Sequence, residues 1–249
     1  VTLTAAWGIY HQVPDPMFFD ADFGGEPLLP PARATHAVVG AQLGGGERFT
    51  ARIEVYDKQY RDLAQLTRDY AVVGGGAGRA HGADVWLKAR APLHIDARLA
   101  YGFVRSRRTD PHTGVLASAP FDVTHSLTTM LTRQWARGVQ TSAAYRHATG
   151  RPFTPVAAAT FDDTRRLWVP TYGAPMSERL PSFHRLDVSA SWLRRLSPSL
   201  QIVAYWSMSN VLDRANVHAY RYSSDYTRRF PVRSIFERSH YVGASVTKT

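Results

Sequence analysis

A two-residue alternation of apolar and polar side chains, sustained over unusually long segments, constrains this chain more than any other feature. In residues 185–192, Leu186, Val188, Ala190 and Trp192 alternate with Arg185, Asp187, Ser189 and Ser191. Ile95, Ala97, Leu99, Tyr101 and Phe103 alternate in the same way with Asp96, Arg98, Ala100 and Gly102. Such a pattern places one oily and one wet face on a strand. The same reading predicts strands at 2–12, 35–44, 47–60, 78–90, 93–106, 121–135, 138–149, 183–194, 199–210 and 237–247. Soluble strands usually run about 5–6 residues, whereas a tilted strand crossing a bilayer needs about 9–11. The segments here are of the second kind.

The connections sort by parity. Gly44-Gly45-Gly46, Ala91-Pro92, Ala136-Arg137 and Leu196-Ser197-Pro198 read as tight turns. Between them fall long loops at 13–34, 61–77, 107–120, 150–182 and 211–236. Short turns on one side and long loops on the other are the pattern of an outer-membrane barrel. A soluble half-exposed sheet shares the alternation but has no reason to sort its loops. The expected fold class is therefore all-β: an antiparallel up-and-down transmembrane β-barrel portion of about ten long strands, with short periplasmic turns and long extracellular loops. The first strand would run outward, with both termini on the periplasmic side. Arg52, Glu54, Asp84, Lys88, Asp96, Arg98, Arg185 and Asp187 all fall on the wet faces, which suits a polar lumen.

Composition narrows the function classes. The hydrophobic share of 44% is too high for a disordered chain, and the lack of cysteine excludes disulfide scaffolds and thiolate metal sites. No apolar run is long enough for a transmembrane helix, and Val1–Trp7 does not read as a signal peptide. The net charge is +10, and all basic residues except Lys58, Lys88 and Lys248 are arginine. They occur as pairs such as Arg107-Arg108 and Arg228-Arg229 rather than as dense runs, so nucleic acid is not an expected partner. His36 and His81 lack metal-ligand spacing, and Gly74–Gly78 lacks the lysine and hydroxyl of a phosphate loop. No cofactor, metal or catalytic residue is expected.

A series of short motifs follows one another along the chain: Gly8-Ile9-Tyr10-His11-Gln12 with Pro14, Pro31–His36, Tyr56–Leu63, Gly78–Asp84, Phe121–His125, Thr149–Pro155, Leu180–Asp187 and Asn210–Asn216. In this order they resemble the C-terminal barrel portion of TonB-dependent outer-membrane receptors. The resemblance implies a barrel of about 22 strands with a plugged lumen, on the order of 550 residues of barrel. Residues 1–249 would then be one incomplete domain, with the plug, the TonB-contacting segment and the first barrel strands outside it. The ending Val246–Thr249 departs from the aromatic terminus usual in that family.

The function implied is energised import of a scarce nutrient, such as an iron–siderophore complex, across the bacterial outer membrane. The expected partners are a small-molecule ligand (a metal chelate, cobalamin or sugar), outer-membrane lipid and lipopolysaccharide, and TonB acting through the plug. Aromatic and arginine residues in the loops are the ligand-binding candidates: Phe18 and Phe19 in the first, Arg165, Arg166, Trp168 and Tyr172 in the fourth, Tyr220, Tyr222 and Arg228 in the last. Asp20, Asp22, Phe23 and Glu26 also lie in the first loop, whose acidity complements the basic last loops. The same residue types serve equally as an interfacial girdle or as contacts to lipopolysaccharide phosphates. Two alternatives remain: a passive outer-membrane pore or structural barrel, and an omptin-like ten-stranded protease using Asp122 with His125 or Asp187 with His184.

Overall fold

The computed structural model describes residues 1–19, 29–46, 48–67, 69 and 71–248. Ten long strands form one antiparallel path, each paired with the next along the chain. They are β1 (Thr2–Gln12), β2 (Ala32–Gly44), β3 (Phe49–Leu66), β4 (Val72–Ala91), β5 (Ile95–Thr109), β7 (His125–Gln134), β8 (Val139–Ala148), β13 (Phe183–Ser197), β14 (Leu200–Ser209) and β17 (Ser239–Lys248). Every strand in the expected list is present, eight of them within four residues at each end, while β3 and β4 each run six residues further at the end where they meet. The remaining strands lie in the loops: β6 (Leu116–Ser118), β9 (Pro152–Phe153), β10 (Val156–Asp162), β11 (Leu167–Tyr172), β12 (Glu178–Arg179), β15 (Val217–Tyr222) and β16 (Arg229–Arg233).

The register fixes the faces. Thr4 pairs with Gly40, Gly40 with Glu54, Glu54 with Asp84, Asp84 with Gly102 and Gly102 with Ser126. Directly paired residues share a face, so even numbers from β1 to β8 lie together. Asp187 pairs with Ala144 and Ser189 with Ser207, so the face continues on odd numbers thereafter. All eight charged residues expected on the wet side fall on it.

The other face carries a charge-free band. On β5 it runs from Ile95 to Phe103, roughly 27 Å along the strand and about 20 Å in height at a barrel-like tilt. Leu3, Trp7, Val39, Val242 and Val246 on this face are 63–79% exposed. So large an uncovered apolar surface is foreign to a water-soluble monomer. At the turn end Arg133 stacks 3.6 Å over the Trp135 ring, and the Trp192 indole N–H donates to the Arg137 carbonyl at 3.2 Å.

The turns are as tight as expected. Gly138 has φ +77°, and a Cβ there would lie 2.1 Å from the Leu193 carbonyl oxygen, so only glycine fits.

Two expectations about the loops are corrected. Residues 61–77 are not a long loop. Period-two pairing continues through Leu63–Gly76, Gln65–Val73 and Leu66–Val72, with register shifts where Asp62 takes φ 58°. β3 and β4 therefore form one tall hairpin joined by 67–71. Strand β7 starts at His125 rather than at 121, and before it the β5 N–H of Ser106 is met by the Asp122 side chain instead of by a strand backbone. The loops at 150–182 and 211–236 also fold into hairpins of their own, β10–β11 and β15–β16.

Candidate functional site

Buried polar groups position the loop end. The Asp122 side chain is 2% exposed and accepts from Arg179 Nη2 at 2.6 Å and from the Ser106 N–H at 3.1 Å. Arg179 Nη1 also donates to the carbonyls of Asp122 and Gly150, at 2.7 and 3.0 Å. A Cβ on Gly150 would lie 1.6 Å from the Leu180 carbonyl oxygen, so glycine is required where these segments cross. Asn216 binds the His184 backbone twice. Its Nδ2 donates to the carbonyl at 2.8 Å, and its Oδ1 accepts from the N–H at 3.0 Å. Asn210 donates through Nδ2 to the Phe236 carbonyl and accepts from the Arg214 N–H. Several of the motifs quoted above thus fasten loops onto strands.

The carboxylate–histidine pairs of a protease do not form. Asp122 is bound to Arg179, and Asp187 accepts from Arg185 Nε and the Asn210 N–H. The imidazoles bond tyrosines instead: His125 Nδ1 lies 2.8 Å from the Tyr101 hydroxyl, and His184 Nδ1 lies 2.8 Å from that of Tyr145.

Above the sheet, β9, the β10–β11 hairpin, β12 and the β15–β16 hairpin form two adjoining open cavities. One, of about 550 Å³, is lined by Trp168, Glu178, Tyr222, Asp225, Tyr226 and Arg229, among others. The second, of about 350 Å³, takes in Phe121, Arg151, Phe153, Tyr220 and the other side of Tyr222. Arg229 joins them. Its guanidinium lies 4.3 Å from the Tyr220 ring centre and 5.6 Å from that of Phe153, and Nη1 bonds Glu178 Oε2 at 2.7 Å. The hydrogen bond it donates to Glu178 holds the guanidinium charged beyond the ordinary arginine range, with smaller help from Tyr222. Asp225 is held below the usual carboxylate range, first by the Ser223 hydroxyl and then by Thr227. An aromatic-walled cleft can stack planar rings, and the Arg229 N–H groups that Glu178 does not engage can donate to a further acceptor.

Of the residues singled out from sequence, Trp168, Tyr220 and Tyr222 come together here. Arg165 and Arg166 sit at the β10–β11 tip, where the Arg165 N–H bonds Asp162 and Arg166 has φ 55°. Tyr172 ends β11 opposite Val156, and Arg228 packs 5.0 Å from the Phe230 ring centre. Phe18 and Phe19 close a short 3₁₀ turn, Pro16–Phe19. Phe18 lines a different cavity, with Thr109, Asp110 and Met176. Asp20, Asp22, Phe23 and Glu26 lie outside the described residues. Glu178, Phe153 and Asp225 were not foreseen. Arg229 is chosen over Arg228 by the β15–β16 register, which pairs it with Tyr222.

Residues 2–211 match the family described as TonB dependent receptor-like, beta-barrel. The chain belongs to this family, whose members are receptors of the bacterial outer membrane rather than enzymes. No curated protein matches the chain in sequence. Among solved structures it resembles the FrpB iron transporter of Neisseria meningitidis, with TM-score 0.62 and 18% identity, over 99% of this chain and 37% of that one. It also resembles the ferripyoverdine receptor of Pseudomonas aeruginosa, with TM-score 0.64 and 14% identity, over 99% and 31%. The ferric-catecholate import receptor Fiu of E. coli K12 gives TM-score 0.62 and 12% identity, over 99% and 33%. The chain thus spans about a third of the length of these receptors.

Proposed function

We infer that this chain supplies wall strands and outer loops to a receptor that imports an anionic, aromatic metal chelate of the iron–siderophore kind. The charge-free face would meet lipid, the polar face would line the lumen, and the loop end would lie outside the cell. Plug movement driven through TonB would open the path for the bound ligand. The observation that carries the ligand class is Arg229, held between Tyr220 and Phe153 at the junction of two aromatic-walled cavities. The iron-complex receptors named among its structural relatives support the same class.

The test is binding of ferric catecholate and ferric hydroxamate complexes to the full receptor, read by quenching of tryptophan fluorescence. Arg229→Gln and Trp168→Ala are expected to weaken binding about tenfold or more each, as loss of one charged contact or one stacked ring would. Arg165→Gln, at the exposed hairpin tip, should leave affinity unchanged. Equal affinity in all three variants would exclude this cavity as the ligand site.

A further inference from the structure

The cavity that Phe18 lines differs in chemistry from the two around Arg229. It measures about 370 Å³ and lies where distant segments meet: the Pro16–Phe19 turn, the loop ends of β3 and β5, β6, and the stretch that carries Thr154 and Met176. Phe18, Leu66, Pro120, Met176 and the buried Ala117 give it apolar walls.

The polar groups on the same walls are already engaged within the protein. Gln65 Nε2 donates to the Thr109 carbonyl at 2.7 Å, and the Thr109 hydroxyl bonds the Ala77 backbone. Asp110 Oδ1 accepts from the N–H groups of His112 and Thr113 and from the Thr113 hydroxyl. Thr154 Oγ1 accepts from the Met176 N–H at 3.0 Å. That bond secures Met176 at φ 50°, left-handed backbone that a residue with a side chain seldom adopts. Arg108, also on the wall, is exposed and keeps its head in water. Walls bonded in this way offer little to a polar group, whereas their apolar side chains gain by being covered.

This cavity borders the site around Arg229. It shares Pro120 and Thr154 with the cavity that holds Phe153, Tyr220 and Tyr222. We propose that it takes the apolar tail of the chelate whose metal-bearing head sits at Arg229, so that the imported ligand is an acylated, amphiphilic chelate. The inference rests on the reading of the Arg229 site as a chelate site. At about 30 Å³ for a water-sized group, 370 Å³ accommodates a chain of about a dozen carbons. The flexible thioether of Met176 suits a tail that has no fixed shape.

The full receptor in lipid nanodiscs is titrated with the ferric complex of a tricatecholate chelator, either plain or carrying a decanoyl chain. Binding is read by quenching of tryptophan fluorescence. The acylated complex is expected to bind about a hundredfold tighter, as burial of only three or four methylenes would give. Ala64→Phe, which fills the cavity, should remove that preference and leave affinity for the plain complex unchanged. Arg229→Gln should weaken both complexes. Heat-modifiable migration verifies the fold, and Leu66→Asp replaces Ala64→Phe if that variant fails to assemble. Equal affinity of the parent for the two complexes overturns the acyl tail while leaving the chelate site intact. A preference that survives the cavity variant overturns the cavity as its seat. Equal loss of both complexes in that variant overturns the division between head and tail. Binding of neither complex by the parent overturns the chelate reading and this inference with it.

Discussion

On the sheet, Leu3, Trp7 and Val242 are 69–79% exposed, whereas at the loop end the carboxylate of Asp122 is almost wholly enclosed. This inverts the usual arrangement of a soluble domain. The long strands have no protein core to fold around, so their apolar face must be covered from outside. The loop structures bury only small apolar patches, around Leu29, Ala117, Ala119 and Leu180, and are pinned by enclosed, hydrogen-bonded polar groups. The strands therefore depend on whatever covers their apolar face, while a few hydrogen-bonded staples secure what stands above them.

The most damaging change is therefore expected at a staple. Arg179→Ala leaves the Asp122 charge enclosed without its partner, a loss of about 3–5 kcal/mol for such a pair. Asp122→Ala should cost less, because Arg179 is 32% exposed and can turn toward water. Limited proteolysis of the folded receptor should show new cleavage within 110–182 in Arg179→Ala, with heat-modifiable migration retained. Loss of the whole barrel instead would mean that sheet and loops are one cooperative unit.

The converse change strikes the sheet. Val39→Arg places a charge in the middle of the β2 band and is expected to cost roughly 2–4 kcal/mol. Ser189→Arg on the opposite face, where its direct neighbours are Ser142 and Ser207, should be nearly neutral. Urea unfolding in lipid vesicles compares the two. If they lose equal stability, the assignment of faces is wrong.

Asn216→Ala is a smaller version of the first test. It strips both partners from the His184 backbone, for about 1–3 kcal/mol. Hydrogen exchange should rise at the start of β13 and stay unchanged in the middle of that strand.

The same division explains what the sequence disclosed. Period two is a direct print of a two-faced strand, and all ten long strands were legible from it, with the side of the eight charges named on the wet face. The loop hairpins were not legible. β15 and β16 carry Tyr220, Tyr222 and Arg229 on one face, but strands of five and six residues give too few alternations to detect. The candidate cavity was legible in part, since loop aromatics were singled out by type. Glu178 and Phe153 enter it from a two-residue pairing, β9 with β12, that only the fold creates. Asp122 was read as a motif residue and as half of a protease pair. Its partner Arg179 stands 57 residues further along the chain, a distance no local pattern bridges.

The mildest test uses the carboxylate that shares the cavity with Arg229. Asp225 accepts from the hydroxyls of Ser223 and Thr227 and from the Thr227 N–H, which lowers its pKa in the folded state. A depressed carboxylate stabilises the fold at pH values above its unfolded pKa, about 3.9, and that contribution disappears as pH falls through the lower folded value. Deuterium uptake across residues 223–228, corrected for intrinsic exchange, should then be flat from pH 7 to about 5 and rise only below about 3.9. Asp225→Asn keeps the size but not the charge, so its uptake should be higher at neutral pH and show no such rise. The long strands carry no comparable group in their apolar band, and their protection should be indifferent to pH over the same range. A rise in uptake already at pH 6 would show that the turn's order does not rest on Asp225.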